Sequence, residues 1–232
     1  MVRWAGPRRA RKLGVALDDL PQIGLILLSH NHYDHLDLAT LRRLRQAFSP
    51  ALLVAAGDAR LVGPLGFNDM RELDWWDETP IGDGLKITFM PAQHSSARGL
   101  FDRHRSLWGG YMIESRGRRI YFSGDTGYSR HFSDIRLRVG TPDIAMLGIG
   151  SYEPRWFMEP IHMNPAEAVR AHADLGARHS IGMHFGTFQL TPEAIDQPQA
   201  DLKAALSQSG ISDREFVTLQ EGETRIYRIP AA

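Results

Sequence analysis

The first strong apolar pattern is a continuous run, Ile23–Leu28, that stops at Ser29-His30. A short apolar run with a polar boundary predicts a buried strand. Asp37 then precedes Leu38, Leu41, Leu44 and Ala47-Phe48, spaced along one helix face, and its carboxylate suits the N-cap of that helix. Ala51–Ala56 is a second apolar run; Leu85–Met90 alternates weakly and ends at Pro91, just before His94. Leu107–Glu114 and Arg118–Ser123 flank Arg116-Gly117, which predicts a hairpin running into Gly124-Asp125-Thr126-Gly127. Asp143–Ile149 predicts a further strand. Asn164-Pro165-Ala166-Glu167 has the cap, proline and glutamate of a helix start, and Gly176 is a suitable stop. Ser180–Met183 predicts a strand that delivers His184, and Pro198–Ser209 a helix closed by Gly210. Phe216–Leu219 and Thr224–Ile229, around Glu221-Gly222, predict a closing hairpin.

Short apolar runs alternating with helical patterns read as an α/β protein. No repeat, low-complexity tract or linker divides the chain, so a single domain over residues 1–232 is expected. His30, His94, Asp125 and His184 all fall just past the ends of predicted strands. A packed sheet fixes such ends, and the loops beyond them are free to converge on a ligand.

Composition narrows the chemistry. With no cysteine, the 232 residues hold neither a disulfide scaffold nor a thiolate zinc finger, so any metal must bind imidazole and carboxylate. Lys and Arg (27) balance Asp and Glu (27), leaving no global field to attract nucleic acid. Arg3, Arg8, Arg9, Arg11 and Lys12 nevertheless crowd the start, and Arg42, Arg43 and Arg45 form a second cluster that reads as a solvated face. No apolar run approaches the ~20 residues that span a bilayer, and no apolar core follows the basic start as in a signal peptide. A soluble, cytoplasmic protein is expected.

The chemistry concentrates in His30-Asn31-His32-Tyr33-Asp34-His35, three histidines and an aspartate within six residues. His30 and His32 can share one side of an extended segment, while Asp34 and His35 turn toward a second position. One loop thus supplies two ligands to each of two neighbouring ions, and nitrogen with carboxylate oxygen suits zinc. Asp37 lies in the same run but is explained by helix capping. Of the other histidines, His104, His131, His172 and His179 lack ligand spacing, and His172 is expected at a helix surface. Trp75-Trp76 reads as a core or pocket-rim pair. Gly124-Asp125-Thr126-Gly127 lacks the lysine and spacing of a phosphate-cradling loop.

The His-x-His-x-Asp-His segment, the later histidines and the Gly-Asp-Thr-Gly loop resemble the metallo-β-lactamase superfamily. More specifically, the chain resembles the N-acylphosphatidylethanolamine-hydrolysing phospholipase D family over roughly residues 3 to 198. The marks are Ser29–Asp37, Pro91-Ala92-Gln93-His94, Leu107-Trp108-Gly109, Phe122–Tyr128, Tyr152-Glu153-Pro154-Arg155-Trp156-Phe157-Met158, Asn164–Val169 and His184–Phe188. The resemblance implies an αββα sandwich with two zinc ions. His30, His32 and His94 would hold one, Asp34, His35 and His184 the other, and Asp125 would bridge them. His162 would line the substrate site, where Asp34, Asp125 and His162 form the catalytic group. Two departures stand out. Ser95 replaces the family's tryptophan after His94, and the family's earlier strands, which precede the segment matching Trp4–Arg9, are lacking. An unpaired sheet edge is therefore expected.

The implied reaction is in-line attack on a phosphodiester by a hydroxide shared between metals about 3.5–4 Å apart. The substrate would be N-acylphosphatidylethanolamine or a related glycerophosphodiester, met at a membrane surface in transient, peripheral contact. Arg155 is placed to meet a phosphate or to pair with Glu153 or Glu159; Trp156, Phe157 and Met158 would form an acyl-chain wall or core. A lactonase using the same metal site, and an inactive, truncated metal-binding protein, are the competing readings.

Overall fold

The computed structural model describes residues 6–228. Three strands, β1 (Leu25–Leu27), β2 (Ala51–Ala55) and β3 (Met70–Leu73), form a parallel sheet in the order β1-β2-β3. A seven-stranded sheet follows, from β4 (Glu78–Ile81), β5 (Leu85–Pro91), β6 (Gly109–Ser115), β7 (Arg118–Phe122), β8 (Ile144–Gly148), β9 (His179–Met183) and β10 (Phe216–Thr218). Its order is β10-β9-β8-β7-β6-β5-β4, antiparallel from β4 to β7 and parallel from β7 to β10. The helices are α1 (Leu38–Phe48), α2 (Ala59–Val62), α3 (His131–Arg138), α4 (Arg155–Met158), α5 (Pro165–Leu175) and α6 (Gln197–Ser209).

Strand alternation assigns the layers. On β2, Leu52 and Val54 join Leu41 of α1 and Val62 of α2, whereas Leu53 and Ala55 point the other way, onto Ile87, Phe89 and Tyr111 of the larger sheet. That sheet's opposite face contributes Met112 and Tyr121 to a third core, closed by Phe132 and Ile135 of α3, Val169 and Leu175 of α5, and Leu202 and Leu206 of α6. The resulting order of helix, sheet, sheet and helix is the αββα sandwich that the resemblance implied. The Tyr111 hydroxyl bolts the sheets together, donating to the Leu28 carbonyl at 2.7 Å.

The local expectations hold where the signal was local. Asp37 caps α1 by accepting from the Thr40 backbone N–H, Asn164 and Glu167 form a reciprocal capping box on α5, and Gly176 and Gly210 take left-handed conformations at helix ends. Two expectations fail. Residues 224–228 form no strand, so the closing hairpin is absent there, and Ile229 lies outside the described residues, as do Arg3, Trp4 and Ala5. His172 is buried rather than at the surface, its Nδ1 2.8 Å from the Ser180 hydroxyl, tying α5 to β9. Strand β1 pairs with β2 and, among the described residues, with no strand on its other side. Among the described residues, no helix is long and apolar enough to cross a membrane.

Candidate metal centre

Strands β5, β7 and β9 run in one direction, so the loops carrying His94, Asp125 and His184 leave the same edge of the sheet. The smaller sheet brings its loop to that edge, because the Gly109 backbone N–H at the start of β6 donates to the Ser29 carbonyl. Buried contacts fix this loop. The Asn31 amide donates to Asp58 Oδ1 at 2.9 Å, and Arg98 Nη1 donates to the carbonyls of Asn31 and Leu36 at 2.8 and 2.7 Å. His184 has φ 59°, a left-handed conformation that costs a residue with a Cβ on the order of 1 kcal/mol and turns its ring back toward Asp125.

All seven sequence-identified donors converge, in two groups. His30 Nε2 lies 2.9 Å from His32 Nδ1, which lies 3.2 Å from His94 Nε2. In the second group, His35 Nε2 and His184 Nε2 are 3.3 Å apart and lie 3.1 and 3.2 Å from Asp125 Oδ2. Asp34 Oδ2 completes that group at 3.5 and 3.6 Å from the same two nitrogens. Donors at the corners of a tetrahedron with ~2.05 Å bonds are about 3.3 Å apart, so both groups have the spacing a tetrahedral cation demands. Asp125 Oδ2 also lies 3.9 and 3.8 Å from His30 and His94, between the groups, and Asp125 Oδ1 is buried with no hydrogen-bond partner among the described residues. A buried carboxylate oxygen left unpaired is costly in an apolar interior and is satisfied by a cation. The residues fit a metal pair.

Electrostatics divide the two groups. Burial, the largest influence, pushes His30 far below the ordinary imidazole range and His94 down to about 4, so both present neutral lone pairs. Burial acts the same way on His35, but Asp125 and Asp34 outweigh it and lift this imidazole to about 10. Burial disfavours the charge on Asp125, yet His184 and His35 hold the carboxyl well below its usual range. His94 is oriented through its other nitrogen, 2.9 Å from the Ile161 carbonyl, which leaves Nε2 for a metal.

A cavity of about 430 Å³ opens over this cluster. Its lining combines His32, Asp34, Asp125, His162 and His184 with the apolar Pro154, Phe157, Met158, Leu190 and Pro192 and the polar Ser151, Glu153 and Thr191. His162 stacks on His184, with ring centroids 5.4 Å apart, and burial pushes its pKa down to about 3. The structure resolves the expectations for the aromatic block. Met158 is buried, Phe157 faces the cavity mouth, and Trp156 is 81% exposed. The Arg155 backbone N–H donates to Glu153 Oε2 at 3.0 Å, but its side chain is paired with neither Glu153 nor Glu159. Its guanidinium pairs with both oxygens of Glu167, at 2.8 and 3.0 Å, and donates to the His162 carbonyl. Trp75 is half-buried, packs against the core between the sheets, and donates its indole N–H to the Trp108 carbonyl. Sequence reasoning missed Asp58 and Arg98 beneath the ligand loop and Leu190 and Pro192 in the cavity wall. None stands in a pattern that marks a site.

A chain of this architecture is not alone. It is 38% identical to N-acyl-phosphatidylethanolamine-hydrolyzing phospholipase D 1 of Caenorhabditis elegans, over 95% of this chain and 65% of that protein. It is 35% identical to the mitochondrial N-acyl-phosphatidylethanolamine-hydrolyzing phospholipase D of Saccharomyces cerevisiae, over 90% of this chain and 46% of the relative. The chain therefore spans less than two thirds of the length of either. Among solved structures, the metallo hydrolase Igni18 of Ignicoccus hospitalis superposes with a TM-score of 0.72 at 20% identity, covering 93% of this chain and 85% of that one. A beta-lactamase superfamily domain matches residues 2–185, which take in every donor of both groups. By that match and by the fold around those donors, the chain belongs to the beta-lactamase superfamily.

Proposed function

We propose that the chain is a zinc-dependent phosphodiesterase of phospholipase D type, cleaving N-acylphosphatidylethanolamine or a related glycerophosphodiester into an amide-bearing alcohol and phosphatidate. The observation that carries this reading is a cavity lined both by members of a two-centre donor cluster, His32, Asp34, Asp125 and His184, and by the apolar side chains Pro154, Phe157, Met158, Leu190 and Pro192. In this reading His30, His32 and His94 hold one zinc ion, Asp34, His35 and His184 a second, and Asp125 reaches both. Two such ions supply Lewis acidity toward a phosphoryl oxygen and a nucleophile at neutral pH. The chain's residues do the rest. Asp125 and Asp34 fix the donor geometry and provide the negative charge that retains the cations. His162, kept neutral by burial, offers a lone pair at the cavity wall to accept a proton or hydrogen bond. Phe157, Met158, Leu190 and Pro192 receive acyl chains and exclude water from the reacting phosphate.

A lipid in a bilayer reaches this cavity only if the protein touches the membrane surface. Trp156, Leu100 and Phe101 are exposed large apolar residues, and Arg103 and Arg105 beside the latter pair are exposed cations suited to anionic headgroups. The test is incubation of zinc-loaded protein with N-acylphosphatidylethanolamine in mixed micelles, with products read by mass spectrometry. Equal release of N-acylethanolamine and phosphatidate is expected. Release of free fatty acid, or no turnover by fully loaded protein, contradicts the reading.

A further inference from the structure

Next to the main cavity lies a second recess of about 220 Å³, bordered by Asp34, His35 and His184 on the cluster side and by Arg9, Phe188 and Leu190 on the other. Arg9 belongs to the basic stretch at the start of the chain, for which the reaction as described has no use. The stretch is fastened to the loop that follows His184. Arg9 and Phe188 form an antiparallel bridge, and the Ala10 backbone N–H donates to the Thr187 carbonyl at 2.7 Å. The Arg11 guanidinium lies against Gly186, where a Cβ would collide with it, and forms ion pairs with Asp196 and Glu221.

Arg11 is thus the neutralised anchor, and Arg9 the cation left facing the recess. Its guanidinium carbon sits 5.4 Å from the centre of the Phe188 ring. Among the described residues no carboxylate pairs with it. The carboxylate in the recess, Asp34, is turned to His35 and His184. The exposed guanidinium stands beside an aromatic face, and its planar fork of N–H donors matches phosphoryl oxygens.

We propose that this recess is an oxyanion subsite, in which Arg9 binds a phosphoryl oxygen of the substrate or product while the acyl portion lies along the apolar wall of the main cavity. Assignment of the oxyanion to a lipid rests on the phosphodiesterase reading; the preference of the recess for a phosphoryl oxyanion does not. Arg9 would then be a specificity-determining residue, favouring phosphoryl ligands over neutral esters.

The test is calorimetric titration of the zinc-loaded full chain with inorganic phosphate and, separately, with dihexanoyl phosphatidate. Arg9→Gln should weaken both by about tenfold at unchanged zinc content, the scale of one lost charge-assisted hydrogen bond. Arg9→Lys should recover part of the loss. Lys12→Gln, which removes a nearby exposed charge outside the recess, should change neither. Wild-type affinity of Arg9→Gln for both ligands overturns the proposal. Weakening for phosphate alone overturns the lipid subsite. Arg9-dependent binding of both ligands by a wild-type protein that hydrolyses no phosphodiester upholds the subsite and removes the enzymatic reading instead.

Discussion

Asp125 closes both halves of the donor cluster with one oxygen, and it does so from a buried position where its charge survives only through the surrounding histidines. Asp125→Ala should therefore lose metal from both halves and all turnover together, read by metal analysis of the purified variant. Retention of a full metal complement would contradict the shared role. A pH effect follows from His131, outside the cluster. Its ring lies 2.6 Å from the Ser129 hydroxyl and 3.4 Å from the Thr126 hydroxyl, which accepts the Gln93 backbone N–H, and burial pushes its pKa down to about 4. Unfolded, the imidazole titrates near 6.5, so between these values the unfolded chain binds more protons. The stability from neutral His131 is fully present above about 6.5 and is lost as pH falls toward 4. The advantage of wild type over His131→Gln in unfolding free energy should shrink by on the order of 3 kcal/mol from about pH 7 to about pH 4. Parallel pH curves would refute this. At this scale the donors were legible because four of them share one short loop. Arg155 and His172 were misread because the partner of a polar side chain depends on what the fold brings near it, here Glu167 and Ser180.

Helix α5 begins immediately after His162-Met163, so its N-terminus sets the position of the cavity wall. The Asn164 side chain accepts from the Glu167 backbone N–H at 2.9 Å, and the Glu167 carboxylate returns to the Asn164 N–H at 3.0 Å while also holding Arg155. Asn164→Ala should lower stability by about 1 kcal/mol, measured by chemical denaturation with an unchanged m-value. A neutral result would mean that Pro165 and the Glu167–Arg155 pair define the helix start unaided. Elements with strong local signals were read from the sequence to within a residue or two at most ends: α1, α5, α6, and the hairpin of β6 and β7 around Arg116-Gly117. Strands β3 and β4 were not, since Arg71 and Glu72 interrupt one and Pro80 sits in the other, where an edge strand tolerates it. Arg130, at the N-cap of helix α3, makes no side-chain cap hydrogen bond, so this helix carried no start signal.

For the molecule as a whole, the αββα layering brings the loops of both sheets to one edge and leaves an apolar rim there. Leu100 is 92% and Phe101 85% exposed on the loop after His94, whose Arg98 carbonyl accepts from the Tyr33 hydroxyl of the ligand loop. Leu100→Asp with Phe101→Asp should weaken partition onto phosphatidylglycerol vesicles about tenfold in sedimentation assays, because both apolar area and charge complementarity are lost. Hydrolysis of a water-soluble diester should not change, and unaltered partition would place the membrane face elsewhere. This rim was not legible in the sequence, where an apolar pair beside basic residues reads equally as core. The donor edge was legible, because strand ends and metal-binding side chains coincided along the chain; the layer order was not, and came only from the family resemblance. The most direct test of the proposed two-metal phosphodiesterase is metal content of the purified chain together with hydrolysis of bis(p-nitrophenyl) phosphate before and after chelation. About two zinc ions per chain, with activity abolished by chelator and restored by zinc, is the predicted result. Bound zinc without turnover, or turnover indifferent to chelation, would contradict it.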